Sequence, residues 1–211
     1  MIDSHHQSKI KLLEAAQKVV RAKGYSAARV EDICAAAGVT KGSFFHHFPS
    51  KEDLILAAAA NWDEMSQRLF AQAPYRELPD PLERILGYID FRKTLIRGET
   101  REFTCFAGTM VQDVFETHPA IRDACRSSIF EHAGMLEADI EAAMRQRVPD
   151  GDWTANSLAL HMQAVCQGSF VLAKAEHGPD AALACLDHLR RYVELLFAHR
   201  AHPSSTAAPL H

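Results

Sequence analysis

Two short helical patterns between residues 30 and 51 are joined by only three residues, Gly38-Val39-Thr40, and no other feature limits the fold of this chain as tightly. The first pattern, VEDICAAAG (30–38), sets Val30, Ile33 and Ala37 on one face, carries Glu31 and Asp32 in its first turn and stops at Gly38. In the second, Thr40 can cap a helix over 41–47 that Pro49 ends. Two short helices across a tight glycine-containing link match a helix-turn-helix. Residues 8–23 precede it with Ile10, Leu13, Ala16 and Val20 on one stripe and end in Arg21, Lys23 and Gly24. Ser50 and Asp53 then form a capping signature for a fourth helix running to Gln72.

Beyond a Pro-rich linker at 74–81 the pattern stays helical over 82–97, 104–117, 120–147, 153–177 and 180–199. Breaks fall at Gly98, His118-Pro119, 148–152 and Gly178-Pro179. No segment alternates with the period of a strand, so the chain reads as all-α. Three parts are expected: a small helix-turn-helix domain over 1–52, with the motif proper at 29–48, a larger helical domain over 53–200, and a disordered Pro/Ser/Ala tail over 201–211.

Charge separates these parts. The formal net charge is −4, yet residues 1–52 carry eight Lys/Arg against five Asp/Glu and the remainder fifteen against twenty-two. A basic end on an acidic chain suits a polyanion bound at that end. The five cysteines are widely spaced with no CxxC pair, which argues against a disulfide framework or zinc ribbon and for a reducing, cytoplasmic setting. No long uncharged apolar run or signal peptide is present, so no membrane partner is expected. GxSxG, GxGxxG, P-loop and metal-hydrolase motifs are missing too, and no catalytic residue, cofactor or metal ligand is expected.

On the third helix Phe44 and Phe48 share one side, and the opposite arc centres on Gly42, Ser43 and His46, flanked by Phe45 and His47. The first pair should pack inward. Small residues at the start of the outer arc allow close approach to a surface, and the free N–H groups of the helix start suit phosphates. Lys41 and Lys51 add positive charge at its edges.

Taken together, the first helix, RVEDICAAAGVTKGSFFHHF (29–48) and PSKEDL (49–54) resemble the N-terminal DNA-binding domain of the TetR family of bacterial regulators. The resemblance implies that Thr40, Lys41, Gly42, Ser43, Phe45, His46 and His47 face double-stranded operator DNA. It further implies that Lys51 clamps a phosphate at the start of helix four and that Arg29 meets the backbone at the start of helix two. Phe45 stands where members often have tyrosine; lacking the hydroxyl, it can pack only on sugar or a thymine methyl.

The resemblance also implies that the remaining helices bind an effector and dimerise, as a ligand-responsive repressor does. His132 and His161 lean toward apolar helix faces, and with Phe103, Phe106, Met110, Val114, Phe130, Met162, Cys166 and Phe170 they can line a mainly apolar small-molecule site. Ordinary core packing of the same residues is the competing reading. A homodimer is expected through Phe170 and Ala173 of helix 153–177 and Leu186, Leu189, Val193 and Leu196 of helix 180–199, whose apolar stripe is unusually broad. A thiol-responsive regulator, an activator, or a helical enzyme or scaffold without DNA binding are the other readings.

Overall fold

The structure, a computed structural model, describes residues 4–198, so the tail expected over 201–211 lies outside it. Every regular element among the described residues is helical. Helices α1 (Ser4–Lys23), α2 (Val30–Ala37) and α3 (Lys41–His47) pack on the first half of α4 (Lys51–Ala71). Leu12, Ile33, Phe44, Leu54 and Ile55 are fully buried at the centre of this unit. Gly24, at φ +81°, ends α1 in the left-handed region that glycine adopts at least cost, and its N–H bonds the Val20 carbonyl at 2.8 Å. The buried Gln17 amide is satisfied across the unit, donating to the Ala58 carbonyl at 3.0 Å and to Asn61 Oδ1 at 3.1 Å.

This core does not end at residue 52. Ala58 and Ala59 of α4, Phe106, Met110 and Val114 of α7 (Phe106–Val114), and Ile121 and Cys125 of α8 (Pro119–Gly134) belong to it. The expected boundary at 52/53 therefore cuts through packed structure. The physical reason is the length of α4: 21 residues span about 30 Å, so its first half completes one core and Phe70 near its end enters the other.

A 3-10 turn, Pro74–Glu77, leads to α5 (Pro81–Leu95), which Asp80 caps by accepting from the Leu82 and Glu83 N–H groups at 2.7 and 3.3 Å. With α9 (Glu137–Arg147), α10 (Ala155–Glu176) and α11 (Asp180–Ala198) it encloses a second core around Ile85, Ile89, Ile140, Met162, Leu186 and Val193. Asp139 of α9 holds Arg84 at 2.7 Å and Arg76 at 3.3 Å across this unit.

One expected helix is shortened and one is divided. The stretch 104–117 holds the shorter α7, which begins at Phe106 because Cys105 caps it by accepting from the Gly108 N–H at 3.3 Å, and a separate single turn, α6 (Thr100–Phe103), precedes it. The stretch 120–147 breaks after Gly134, a weak helix former, where Leu136 N–H bonds back to Ala133 at 3.1 Å and the chain turns Leu136 and Ile140 into the second core.

Candidate nucleic-acid interface and interior cavity

The turn between α2 and α3 is built locally. Gly38 sits at φ +65°, where Val39 N–H reaches the Cys34 carbonyl at 3.0 Å and Gly38 N–H the Ala35 carbonyl at 3.3 Å, closing the end of α2. Thr40 Oγ1 then accepts from Ser43 N–H at 3.1 Å and starts α3. Phe44 and Phe48 point inward as expected, leaving Phe45 58% exposed and His46 exposed beside it. The rings of His46 and His47 meet edge to face with centroids 5.1 Å apart. A Cβ on Gly42 would meet only Thr40 Oγ1, at 3.7 Å, so nothing inside the protein requires glycine there. The bare backbone faces outward, as close approach to an external surface demands.

Charged groups frame this face. Lys41 pairs with Glu31, Lys23 with Asp32 at 3.2 Å, and Arg29 is exposed at the start of α2 while its N–H donates to Asp32 Oδ2 at 3.2 Å. Lys51 departs from the expected arrangement. Its ammonium turns back to donate to the Tyr25 and Ala28 carbonyls, at 3.0 and 3.1 Å, and lies 3.9 Å from the centre of the Tyr25 ring. Burial lowers its pKa, with Asp113 opposing. In this arrangement it pins the loop between α1 and α2 rather than projecting toward solvent. Asp113 of α7 pins the same loop from the other side, accepting from the Ser26 N–H and hydroxyl at 2.8 and 2.9 Å.

The second site is a cavity of about 650 Å³ among α4, α5, α8 and α10, with α1 and α6 at its edge. Trp62, Met65, Leu69 and Phe70 of α4 make much of its apolar wall. Of the expected residues, Phe103, His132 and Phe170 line it. The others do not. Phe106, Met110 and Val114 are buried in the first core, because α7 turns toward α1 and α4, while Met162 and Cys166 are buried in the second core behind the wall. Phe130 lies half-exposed with the Arg126 guanidinium 5.1 Å from its ring, and His161 is on the outer surface against Tyr192.

Sequence reasoning missed the polar wall. Arg92 of α5 donates from Nε to the Tyr88 hydroxyl at 2.9 Å, and its Nη2 meets His132 Nε2 at 2.6 Å. The Phe70 ring centre is 4.7 Å from the guanidinium carbon. Nε2 of His132 must then accept, which requires the neutral ring; burial, then the charges of Arg92 and Arg76, hold its pKa well below the usual histidine value. Gln163, Gln167, Asp63 and Arg21 also line the cavity. Spacing gives hints: Trp62, Met65 and Leu69 repeat at helical intervals on α4, as do Gln163 and Gln167 on α10.

Residues 12–58 match the family profile described as bacterial regulatory proteins, tetR family. Over 176 residues the chain is 30% identical to the transcriptional regulator AcuR of Cereibacter sphaeroides, covering 83% of this chain and 68% of that one. The chain belongs to the TetR family of bacterial regulatory proteins. Its fold agrees with other TetR proteins: a TetR-family regulator from Agrobacterium tumefaciens superposes with a TM-score of 0.80 at 22% identity, over 92% of this chain and 100% of that one. The TetR-family regulator CifR, solved as a cysteine mutant with a 26-base-pair operator duplex, superposes with a TM-score of 0.73 at 19% identity, over 86% and 94% of the two chains. The protein is thus a DNA-binding transcriptional regulator of TetR type, with α2 and α3 as its helix-turn-helix.

Proposed function

We propose that this regulator is a cytoplasmic, homodimeric repressor that leaves a near-palindromic operator when a small, mainly apolar effector fills the cavity. The observation that carries this reading is Arg21. It belongs to α1 of the DNA-binding unit, yet it lines the cavity, lies 4.9 Å from the centre of the Trp62 ring and donates to the Glu102 carbonyl at 2.9 Å. A ligand against Trp62 and Phe103 therefore presses on the element that positions α3. Effector affinity must differ between the DNA-fitting and released geometries for that pressure to matter.

In this reading Thr40, Lys41, Gly42, Ser43, Phe45, His46 and His47 face the duplex, Arg29 meets its backbone, and Lys51 acts by holding the α1–α2 loop. Two copies of α3 in successive major grooves stand about one helical turn, roughly 34–36 Å, apart. The dimer surface shifts from the one expected. Leu186, Leu189, Val193 and Ala173 are at most 3% exposed within one chain, so they support its own core, and Phe170 turns to the cavity. On the outer face Val171, Leu172, Tyr192 and Leu195 are 45–62% exposed, and Gly168 has open space where a Cβ would be. Leu196, partly buried, borders them. These form the interface proposed here.

The test is titration of duplexes from the DNA flanking the gene, at several salt concentrations, combined with sedimentation. A dimer bound to one footprint with steep salt dependence is expected, and Val171→Glu with Leu195→Glu should yield folded monomers that lose the footprint. A wild-type monomer binding that footprint tightly would overturn the dimer. One observation favours a second reading: Cys105, just before α7, is among the residues lining the cavity, so a thiol-directed electrophile that releases DNA only when Cys105 is present would favour a thiol-responsive regulator.

A further inference from the structure

Arg92 carries a charge that the protein does not balance. Guanidinium stays protonated under all conditions a folded protein meets, and five N–H groups demand acceptors. Tyr88 and neutral His132 take one each. Among the described residues no carboxylate lies within ion-pair distance of Arg92, although ten other Lys/Arg side chains make such pairs. The rings of Phe70 and Tyr88 lie with their centres 4.7 and 5.4 Å from its guanidinium carbon, and rings balance a charge only weakly.

A second polar group beside the same cavity is also unmet. Gln163 is 6% exposed, and its Oε1 has no hydrogen-bond partner. Turned over, the same amide offers its NH₂ to an acceptor. A purely apolar ligand would leave both groups unsatisfied and would further desolvate the guanidinium.

We propose that the effector is an amphiphilic monocarboxylate whose carboxylate pairs with the free N–H edge of Arg92, assisted by Gln163, and whose aryl or alkyl body lies on Trp62, Leu69 and Phe170. Guanidinium and carboxylate match in a planar, two-bond geometry. A single negative charge suits the site better than a dianion, since Asp63, Glu102 and Glu131 also line the cavity. This assignment rests on the effector reading above and adds its chemical class.

The test uses the full-length protein and two matched pairs of probes: 4-phenylbutyrate against 4-phenylbutanamide, and octanoate against octanamide. Binding is read by calorimetry and by Trp62 emission in a Trp153→Phe background, since these are the two tryptophans of the chain and Trp153 packs away from the cavity on Phe197. Each acid should bind roughly tenfold or more tightly than its amide. Arg92→Met should erase that preference and Arg92→Lys should keep part of it, with melting temperatures in the absence of probe reporting that both variants are folded. Acid and amide binding equally well to wild type would overturn the carboxylate while leaving the cavity a binding site. If Arg92→Met does not fold, Gln163→Leu replaces it, and an unchanged preference in that variant together with Arg92→Lys would overturn the assignment. Binding of no probe by wild type would overturn both the carboxylate and the effector reading.

Discussion

The two cores solve opposite problems. Around Phe44 the core is filled, the turn at Gly38 and the caps at Thr40 and Ser50 are satisfied within five residues, and the outward face carries bare backbone, polar groups and the exposed Phe45 ring. Around Trp62 the helices stand far enough apart to leave about 650 Å³, and the wall contains a guanidinium without a carboxylate. On the proposed reading, a reader of DNA must hold one geometry, whereas a sensor must remain incomplete until its ligand arrives. Arg21 of α1, which lines the cavity, joins the two.

Truncating one side chain in each core tests that contrast most strongly. Phe44 is fully buried, so Phe44→Ala should destabilise the protein by about 3–5 kcal/mol. Leu69 on the cavity wall is 43% exposed, and Leu69→Ala should cost less than about 1 kcal/mol. Urea denaturation of both variants is the measurement. Comparable losses would mean that the cavity wall is packed as tightly as the DNA-binding core.

The loop held against the first core comes next. Lys51→Met removes the donors to the Tyr25 and Ala28 carbonyls and should cost about 1–3 kcal/mol. Operator affinity should fall by more than loss of one phosphate contact allows, while the salt slope stays nearly constant. A slope reduced by about one unit with unchanged stability would instead return Lys51 to the phosphate.

These differences explain what was legible in sequence. Gly38, Thr40, Ser50 and the Phe44–Phe48 pair act within their own or the next turn, so spacing alone locates them. The cavity is assembled from α4, α5, α8 and α10, and periodicity reveals that a face is apolar without revealing which helix it meets. Phe106 and Met110 share their pattern with Phe103, yet the break at Cys105 sends them to the other core. His132 and His161 look alike on a wheel, but one meets Arg92 and the other Tyr192 on the surface. The broad stripe of α11 likewise hid that Leu189 and Val193 serve the chain's own core.

A smaller effect isolates the polar wall. His132 has a depressed pKa when folded and about 6.5 when unfolded, so the unfolded chain binds more protons as pH falls through that value. Its stabilising contribution is therefore present above pH 6.5 and lost below it. The loss grows as pH falls below 6.5, and His132→Gln, whose amide oxygen can still accept from Arg92, should lose less stability than wild type between pH 7.5 and 5.5. Parallel pH profiles would show that the ring titrates normally.

The smallest change should separate stability from function at the reading face. Gly42 lies within α3, where alanine is the better helix former, and the added methyl meets only Thr40 Oγ1 at ordinary contact distance. Gly42→Ala should thus stabilise the protein, by at most about 1 kcal/mol and by less because the site is near the helix start. The same methyl projects from the surface proposed to approach DNA, so operator affinity should fall while the effector response of the remaining binding is retained. Thermal melts and duplex titrations on one preparation measure both. A variant that is more stable and binds as well as wild type would mean that the backbone at Gly42 never comes close to the duplex, and the docking of α3 would have to turn toward Phe45 and His46.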